Sequence, residues 1–241
     1  MKNDSKTAKY YDITSQISKG LEIIDEELLL IKKIFKKDSI VLDLGCGTGR
    51  HLIPLFNENY FNQLIGLDIT KEHLELLRKK SSKFNSKDLL NVDFNNYDFG
   101  EQKFDGIYLF WNALNEICLT DKSLNEFLEK CISILSPKGK ILINIDDIKT
   151  FNVDELNFEY ELEKNDLGLK NYQFKVIKFN SEKNLSISEE SFFTDKEIFR
   201  SEITQRWWTL DDILKEANSL GLALKQEKIT SNNELYIVLS K

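Results

Sequence analysis

One glycine-rich run carries the clearest chemical signal of the sequence: Asp43-Leu44-Gly45-Cys46-Gly47-Thr48-Gly49. Glycines that follow a strand let backbone N–H groups come close to a ligand. The spacing is G-x-G-x-G, whereas a dinucleotide fingerprint places its third glycine one position later. The Asp43 carboxylate would repel a pyrophosphate but suits a cationic amino group, such as that of a methionine moiety. The alternative is a turn that only permits tight packing between helix and strand.

Two further acids end the next two predicted strands. Asp68 ends the second, where a carboxylate can accept hydrogen bonds from both hydroxyls of a ribose. Asp93-Phe94 ends the third, where the acid can accept from an adenine amino group and the ring can stack on it. The carboxyl ends of parallel strands meet at one ligand-binding edge. Three acids at that edge favour an adenosine site over three separate helix caps.

The elements that position these residues follow from hydrophobic periodicity. Strands are predicted at 40–44, 64–68, 89–94, 104–110, 140–145, 222–225 and 235–240, and helices at 19–35, from Thr48 onward, and at 71–80, 124–135 and 209–220. Alternating strands and helices require crossover connections. The sequence therefore predicts a doubly wound α/β sheet with helices on both faces.

Residues 151–206 depart from this alternation of strands and helices. Apolar and polar residues alternate around Phe158 and again around Phe174, which predicts half-exposed antiparallel strands. We expect a small antiparallel insertion over the active-site edge; a sheet without ligand contacts is the alternative. The predicted organisation is an N-terminal lid and helix over 1–38, followed by one domain over 39–241.

From Ser39 onward the chain resembles the class I S-adenosylmethionine-dependent methyltransferases. The motifs that carry the resemblance are Val41 to Gly49, Gly66-Leu67-Asp68, Asp93-Phe94, Phe104 to Tyr108, Leu135 to Lys140, Trp208 to Gly221 and Leu235 to Val238. The resemblance implies a Rossmann-like sheet of seven strands with the last strand antiparallel. Residues 189–208 also resemble inserts of small-molecule methyltransferases. The segment at Tyr10-Tyr11-Asp12 resembles the family's N-terminal lid, although a surface helix with two packed tyrosines is an equal alternative.

The resemblance implies S-adenosylmethionine as cofactor and a small molecule as methyl acceptor. The cofactor-binding residues it implies are Tyr11, Asp43, Gly45, Cys46, Gly47, Gly49, Arg50, Asp68, Ile69, Asp93, Phe94 and Phe110. The candidates for contacts with the acceptor are Trp111, Asn112, Glu159, Tyr160, Glu202, Arg206 and Trp207. An activated sulfonium needs mainly alignment and a water-poor pocket. No catalytic residue is assigned, because His51 and His73, the two histidines, are expected on solvated helix faces.

Composition and charge argue against several other classes of protein. The net charge is −7, which disfavours nucleic acid as a partner. The three cysteines are widely spaced, and Asp146-Asp147 is expected to form a surface turn, so no metal is predicted. A polar N-terminus and the lack of an apolar run of ~20 residues predict a cytoplasmic protein without a membrane partner. An RNA or protein methyltransferase and a non-catalytic S-adenosylmethionine-binding regulatory module remain alternatives, and the oligomeric state is left open.

Overall fold

The structure is a computed structural model that describes residues 7–20, 22–229 and 234–241. These residues contain two β-sheets. In chain order the strands are β1 (Ile40–Leu44), β2 (Gln63–Leu67), β3 (Leu89–Leu90), β4 (Phe104–Leu109), β5 (Leu135–Ile145), β6 (Phe158–Glu161), β7 (Leu169–Asn180), β8 (Leu185–Thr194), β9 (Ile198–Arg206), β10 (Ala223–Ile229) and β11 (Leu235–Ser240). The larger sheet has seven strands in the order β10-β11-β5-β4-β1-β2-β3, and the smaller has four, β6-β7-β8-β9.

The larger sheet confirms the predicted Rossmann-like topology. Strand β1 pairs in parallel with β2 and β4, and β11 runs antiparallel to both β5 and β10. Strand β3 is shorter than the predicted 89–94, because Asp93 turns the chain. Its carboxylate accepts a hydrogen bond from the Asn95 N–H at 2.9 Å, and its carbonyl accepts from the Asn96 and Tyr97 N–H groups.

Seven α-helices accompany the strands in the described residues. They are α1 (Tyr11–Lys19), α2 (Glu22–Ile34), α3 (Leu52–Asn57), α4 (Lys71–Lys80), α5 (Ala113–Ile117), α6 (Asp121–Ile134) and α7 (Leu210–Ser219). The helix expected from Thr48 begins only at Leu52, because Gly47 and Gly49 hold positive φ angles of 53° and 90° that no helix contains. None of the described helices is both long enough and apolar enough to cross a membrane.

The core lies on both faces of the larger sheet. On one face Leu42 and Ile107 pack with apolar residues of α6 and α7, and on the other Val41 and Tyr108 pack with α2, α3 and α4. Side chains alternate between the faces along each strand. Asp43 therefore points to the same side as Val41, towards the first turn after β1.

The smaller sheet is the antiparallel insertion that the sequence predicts. Its strands span 158–206, and β7, β8 and β9 are paired over long registers. Tyr10 is 1% exposed and stacks on Phe192 of β8, with ring centroids 5.5 Å apart. The N-terminal segment is therefore packed against the insertion at the edge where β1, β2 and β4 end.

Candidate active site

Three neighbouring cavities lie at the carboxyl ends of β1, β2 and β4. The large cavity has a volume of about 640 Å³, the middle cavity about 300 Å³ and the small cavity about 20 Å³. Tyr11 of α1 and Trp111, just after β4, line all three. His73 and Glu116 line both the large and the middle cavity. These four side chains mark the boundary at which the cavities meet.

The small cavity is centred on Asp43. Asp43 is 4% exposed, and its Oδ2 atom has no hydrogen-bond partner among the described residues. Burial raises the pKa of this carboxyl to about 7, and the charge of His51 opposes that effect. Arg50, whose guanidinium lies over the Trp111 ring, completes the wall together with Gly45, Cys46 and Phe110. A buried carboxylate with an open acceptor atom fits a cationic group.

The middle cavity is lined by the acids at the ends of β2 and β3. The Asp68 carboxylate accepts hydrogen bonds from the Gly47 N–H at 2.8 Å and the Thr70 N–H at 2.7 Å. This pairing fixes the glycine turn against the end of β2, and each oxygen keeps a second lone pair for a ligand. Ile69 and Asp93-Phe94 line the same cavity. The arrangement can bind hydroxyl and amino groups beside an apolar wall.

The large cavity lies under the concave face of the insertion. Alternate residues of its strands point inward, because side chains alternate across a strand. The aromatic residues among them are Phe158, Tyr160, Tyr172, Phe174, Phe192 and, just after β9, Trp207. The α1 helix supplies another wall through Tyr11, Thr14, Ser15 and Ser18. The cavity is therefore bounded by segments that are far apart in the sequence.

Residues 41–139 match the protein family described as a methyltransferase domain. Over these residues the chain contains a methyltransferase domain.

Known proteins and solved structures match this chain at low sequence identity. An uncharacterized protein of Methanocaldococcus jannaschii, MJ1252, is 31% identical over 163 residues, which cover 66% of this chain and 58% of that protein. The chain thus spans less than two thirds of that relative's length. An S-adenosylmethionine-dependent methyltransferase from Clostridium acetobutylicum superposes with a TM-score of 0.75 at 19% identity, covering 98% of this chain and 97% of that one. CalS10, an amino pentose methyltransferase from Micromonospora echinaspora, superposes with a TM-score of 0.74 at 16% identity, covering 95% of each chain.

The cavities fit S-adenosylmethionine, the cofactor that the sequence predicts. The unpartnered Oδ2 atom of Asp43 faces the small cavity, which suits an amino group. Asp68 and Asp93 face the middle cavity, which suits the hydroxyls and the base of an adenosine. The two cavities share Gly45, so that one ligand can extend along the glycine turn from one to the other.

The N-terminal segment covers the glycine turn. A Cβ atom added at Gly47 would lie 3.2 Å from Cε1 of the Tyr11 ring, so that only glycine leaves the ring room. Asp12 holds the segment in place: its carboxylate accepts from the Thr48 hydroxyl and pairs with the Lys80 ammonium, both at 2.5 Å. The segment therefore packs over the turn.

The predicted cofactor contacts Gly47 and Gly49 and the predicted acceptor contact Arg206 line none of the three cavities. A Cβ atom added at Gly49 would lie 2.8 Å from Cγ of Leu77, so Gly49 serves the packing of α4. Arg206 points away from the large cavity, lies over the Trp208 ring at 3.8 Å and pairs with Asp121 at 2.6 Å. Strand alternation places Arg206 on the face opposite Gln205.

The other acceptor candidates divide in the same way. Trp111, Asn112, Tyr160 and Trp207 line the large cavity, whereas Glu159 and Glu202 are exposed on the outer face of the insertion and do not. Trp207 is fixed by a hydrogen bond from its indole N–H to Ser186 Oγ at 2.9 Å. Asn112 follows Trp111 in a pair of left-handed residues, with φ angles of 58° and 54°. Such strained residues are concentrated at functional sites.

Both histidines differ from their predicted place on solvated helix faces. His51 is 8% exposed and its Nε2 atom lies 2.7 Å from Glu27, while His73 lines two cavities and contacts the Tyr11 ring at 4.6 Å. The packing of α1 and α2 over the turn buries them. Glu27 is a site residue that the sequence reasoning missed. Its signal was a carboxylate within an apolar helical stripe, between Ile23 and Ile31.

The acids after β5 have separate environments. Asp147 is 9% exposed and accepts hydrogen bonds from the Leu210 N–H at 3.0 Å and the Lys149 N–H at 2.9 Å, so it caps α7 rather than forming a simple surface turn. Asp146 lines the large cavity. In the described ranges, no three side chains of the metal-binding types lie close enough together to hold an ion.

Proposed function

We propose that this methyltransferase transfers a methyl group from S-adenosylmethionine to a small molecule bound in the large cavity. The observation that carries the proposal is the shared boundary of Tyr11, His73, Trp111 and Glu116 between the large and the middle cavity. The volume of about 640 Å³ lies in the range typical of small-molecule sites, about 300–1,000 Å³. A donor in one cavity and an acceptor in the other would meet at these four residues.

The cofactor would be held along the glycine turn. Asp43 would pair with its amino group, Asp68 would accept from its ribose hydroxyls, and Asp93 with Phe94 would contact its base. The remaining proposed contacts are Tyr11, Gly45, Cys46, Arg50, Ile69 and Phe110. When bound, S-adenosylmethionine would supply a methyl group activated by its sulfonium, with a neutral thioether as the leaving group. The chain itself aligns the acceptor and excludes water.

A macromolecular acceptor is the weaker candidate. The described residues that line the large cavity include no lysine or arginine, and the chain carries a net charge of −7. A nucleic acid needs basic side chains against its phosphates. A non-catalytic binding module is disfavoured as well, since a cavity of acceptor size adjoins the boundary residues. The fold shared with an amino pentose methyltransferase also favours a small polar acceptor.

Isothermal titration calorimetry with S-adenosylhomocysteine tests the cofactor half of the proposal. We expect micromolar binding by the unmodified protein and a loss of tenfold or more, about 1.4 kcal/mol, in Asp68→Ala. Asp98→Ala is the matched control, because that carboxylate only accepts from the Gly100 N–H in an exposed turn. The absence of binding by the unmodified protein would refute the proposal. Methyl transfer is then screened with small amines and hydroxy compounds against an RNA and a protein mixture.

A further inference from the structure

The large cavity combines negative charge with aromatic walls. Its acidic lining residues are Glu116, Asp146, Glu155, Glu190 and Glu234. Among the described residues that line it, His73 is the single side chain that can carry a positive charge. Carboxylates and aromatic ring faces together attract cations. The cavity is therefore built for a ligand of positive charge.

Two side-chain amides add unused hydrogen-bond acceptors. Gln205 is 2% exposed, lines the cavity, and its Oε1 atom has no partner among the described residues. Asn112 Oδ1 also lines the cavity and has no such partner. A buried polar atom without a partner costs about 1–3 kcal/mol unless a ligand or water satisfies it. These two amide oxygens therefore suit a ligand with more than one hydrogen-bond donor.

The acids differ in their hydrogen bonding. Glu190 accepts from the Tyr172 hydroxyl at 2.6 Å, so one of its oxygens is held in place. The Glu116 side chain makes no hydrogen bond to the described residues. Glu116 lies at the boundary between the large and the middle cavity. Burial raises the pKa of Glu116 to about 8, and the charges of Glu190 and Asp68 add to that effect. A carboxylate of raised pKa takes up a proton more readily than an ordinary one.

We propose that the acceptor is a protonated aliphatic amine that also carries hydroxyl groups, with Glu116 and Glu190 as the partners of its ammonium group. The proposal rests on the proposed methyl transfer and names the acceptor class of that site. Glu116 takes one proton from the ammonium nitrogen: the N–H bond breaks, the proton joins a carboxylate oxygen, and the electron pair stays on nitrogen. Glu190, which the Tyr172 hydroxyl holds in place, accepts a hydrogen bond from the amine at the boundary. Gln205 and Asn112 accept from its hydroxyls.

Several charged and titratable groups surround Glu116 and decide how binding depends on pH. The charges of Glu190 in β8 and Asp68 at the end of β2 act on Glu116. Burial raises the pKa of Glu190 too, and the hydrogen bond from Tyr172 and the charge of His73 oppose that effect. An empty cavity therefore favours the neutral form of Glu116 below about pH 8, whereas a bound ammonium favours its charged form. Amine binding at pH 7.0 should consequently release a proton from Glu116 to the buffer.

Calorimetry with glucosamine and cyclohexylamine, and with glucose and cyclohexanol as their uncharged counterparts, tests this proposal. Each is titrated into the full chain, with and without S-adenosylhomocysteine, at pH 7.0 in two buffers of different ionisation enthalpy. We expect an amine to bind at least tenfold more tightly than its counterpart and to release a proton. Glu116→Gln should weaken binding tenfold or more and abolish the release, and Glu190→Gln should weaken binding. Glu202→Gln, which removes the same charge outside the cavity, should change neither.

Three results would overturn the proposal: uncharged counterparts that bind as tightly as the amines, a Glu116→Gln variant with unchanged affinity and proton release, or no binding by either amine. In each case, binding of S-adenosylhomocysteine would leave the proposed function standing. If S-adenosylhomocysteine does not bind, the proposed function is refuted instead. The amine titrations without S-adenosylhomocysteine then still measure whether the large cavity binds amines. Thermal unfolding of each variant checks its fold.

Discussion

Glu27 of α2 accepts a hydrogen bond from the indole N–H of Trp111 at 3.0 Å, across 84 residues of sequence. The same carboxylate, 0% exposed, accepts from the Tyr236 hydroxyl at 2.6 Å and lies 2.7 Å from His51 Nε2. Burial alone would raise the pKa of Glu27, but the hydrogen bonds and the charge of His51 hold it below its usual value. Glu27 therefore fixes the aromatic ring that lines all three cavities.

Removal of the Glu27 carboxylate should destabilise the chain strongly. Glu27→Ala leaves His51, Trp111 and Tyr236 without their partner, and breaking a buried charged network costs about 3–5 kcal/mol. Urea unfolding measures the loss, with Glu22→Ala at the exposed start of the same helix as control. Equal stability of the two variants would show that Glu27 does not anchor this network.

Loss of the Asp12 carboxylate should speed the release of the cofactor product. Asp12 pairs with Thr48 and Lys80 beside the turn that Tyr11 covers. A partly exposed ion pair is worth about 0.2–1 kcal/mol, so Asp12→Ala should raise the dissociation rate of S-adenosylhomocysteine by up to about fivefold. Stopped-flow displacement measures the rate. Lys80→Ala should act in the same direction, and Asp25→Ala should not; an unchanged rate in both lid variants would contradict a role in closure.

Stability should fall as pH rises from about 5 to 8. Burial raises the pKa of Asp43 to about 7 and that of Glu116 to about 8. Because the folded chain keeps protons that the unfolded chain has lost, folding takes up protons over this window and the free energy of unfolding decreases with pH. Urea unfolding at pH 5.5, 7.0 and 8.5 measures the slope. Asp43→Asn and Glu116→Gln should each flatten it, whereas Asp98→Asn should not; a slope unaffected by the first two would refute the assignment.

The sequence alone predicted that three acids lie at one edge of the sheet. Strand and helix periods are local, so they placed Asp43, Asp68 and Asp93 at the ends of three successive strands. Parallel pairing then brings those ends to one edge. The glycine spacing, read with the acid before it, favoured an amino-acid moiety over a pyrophosphate. In the structure, all three acids line cavities at that edge.

Only the tertiary structure decided which distant residues share a cavity. His73 looked like a residue of a solvated helix, and Arg206 looked like an acceptor contact, because local periodicity does not reveal what packs over a helix or a sheet face. Because α1 and the insertion pack at this edge, His73, Glu116 and Glu190 line one cavity, whereas Arg206 lies outside it. The chain thus specifies its sheet and the glycine turn through short-range patterns, whereas long-range packing determines the environment of its buried acids.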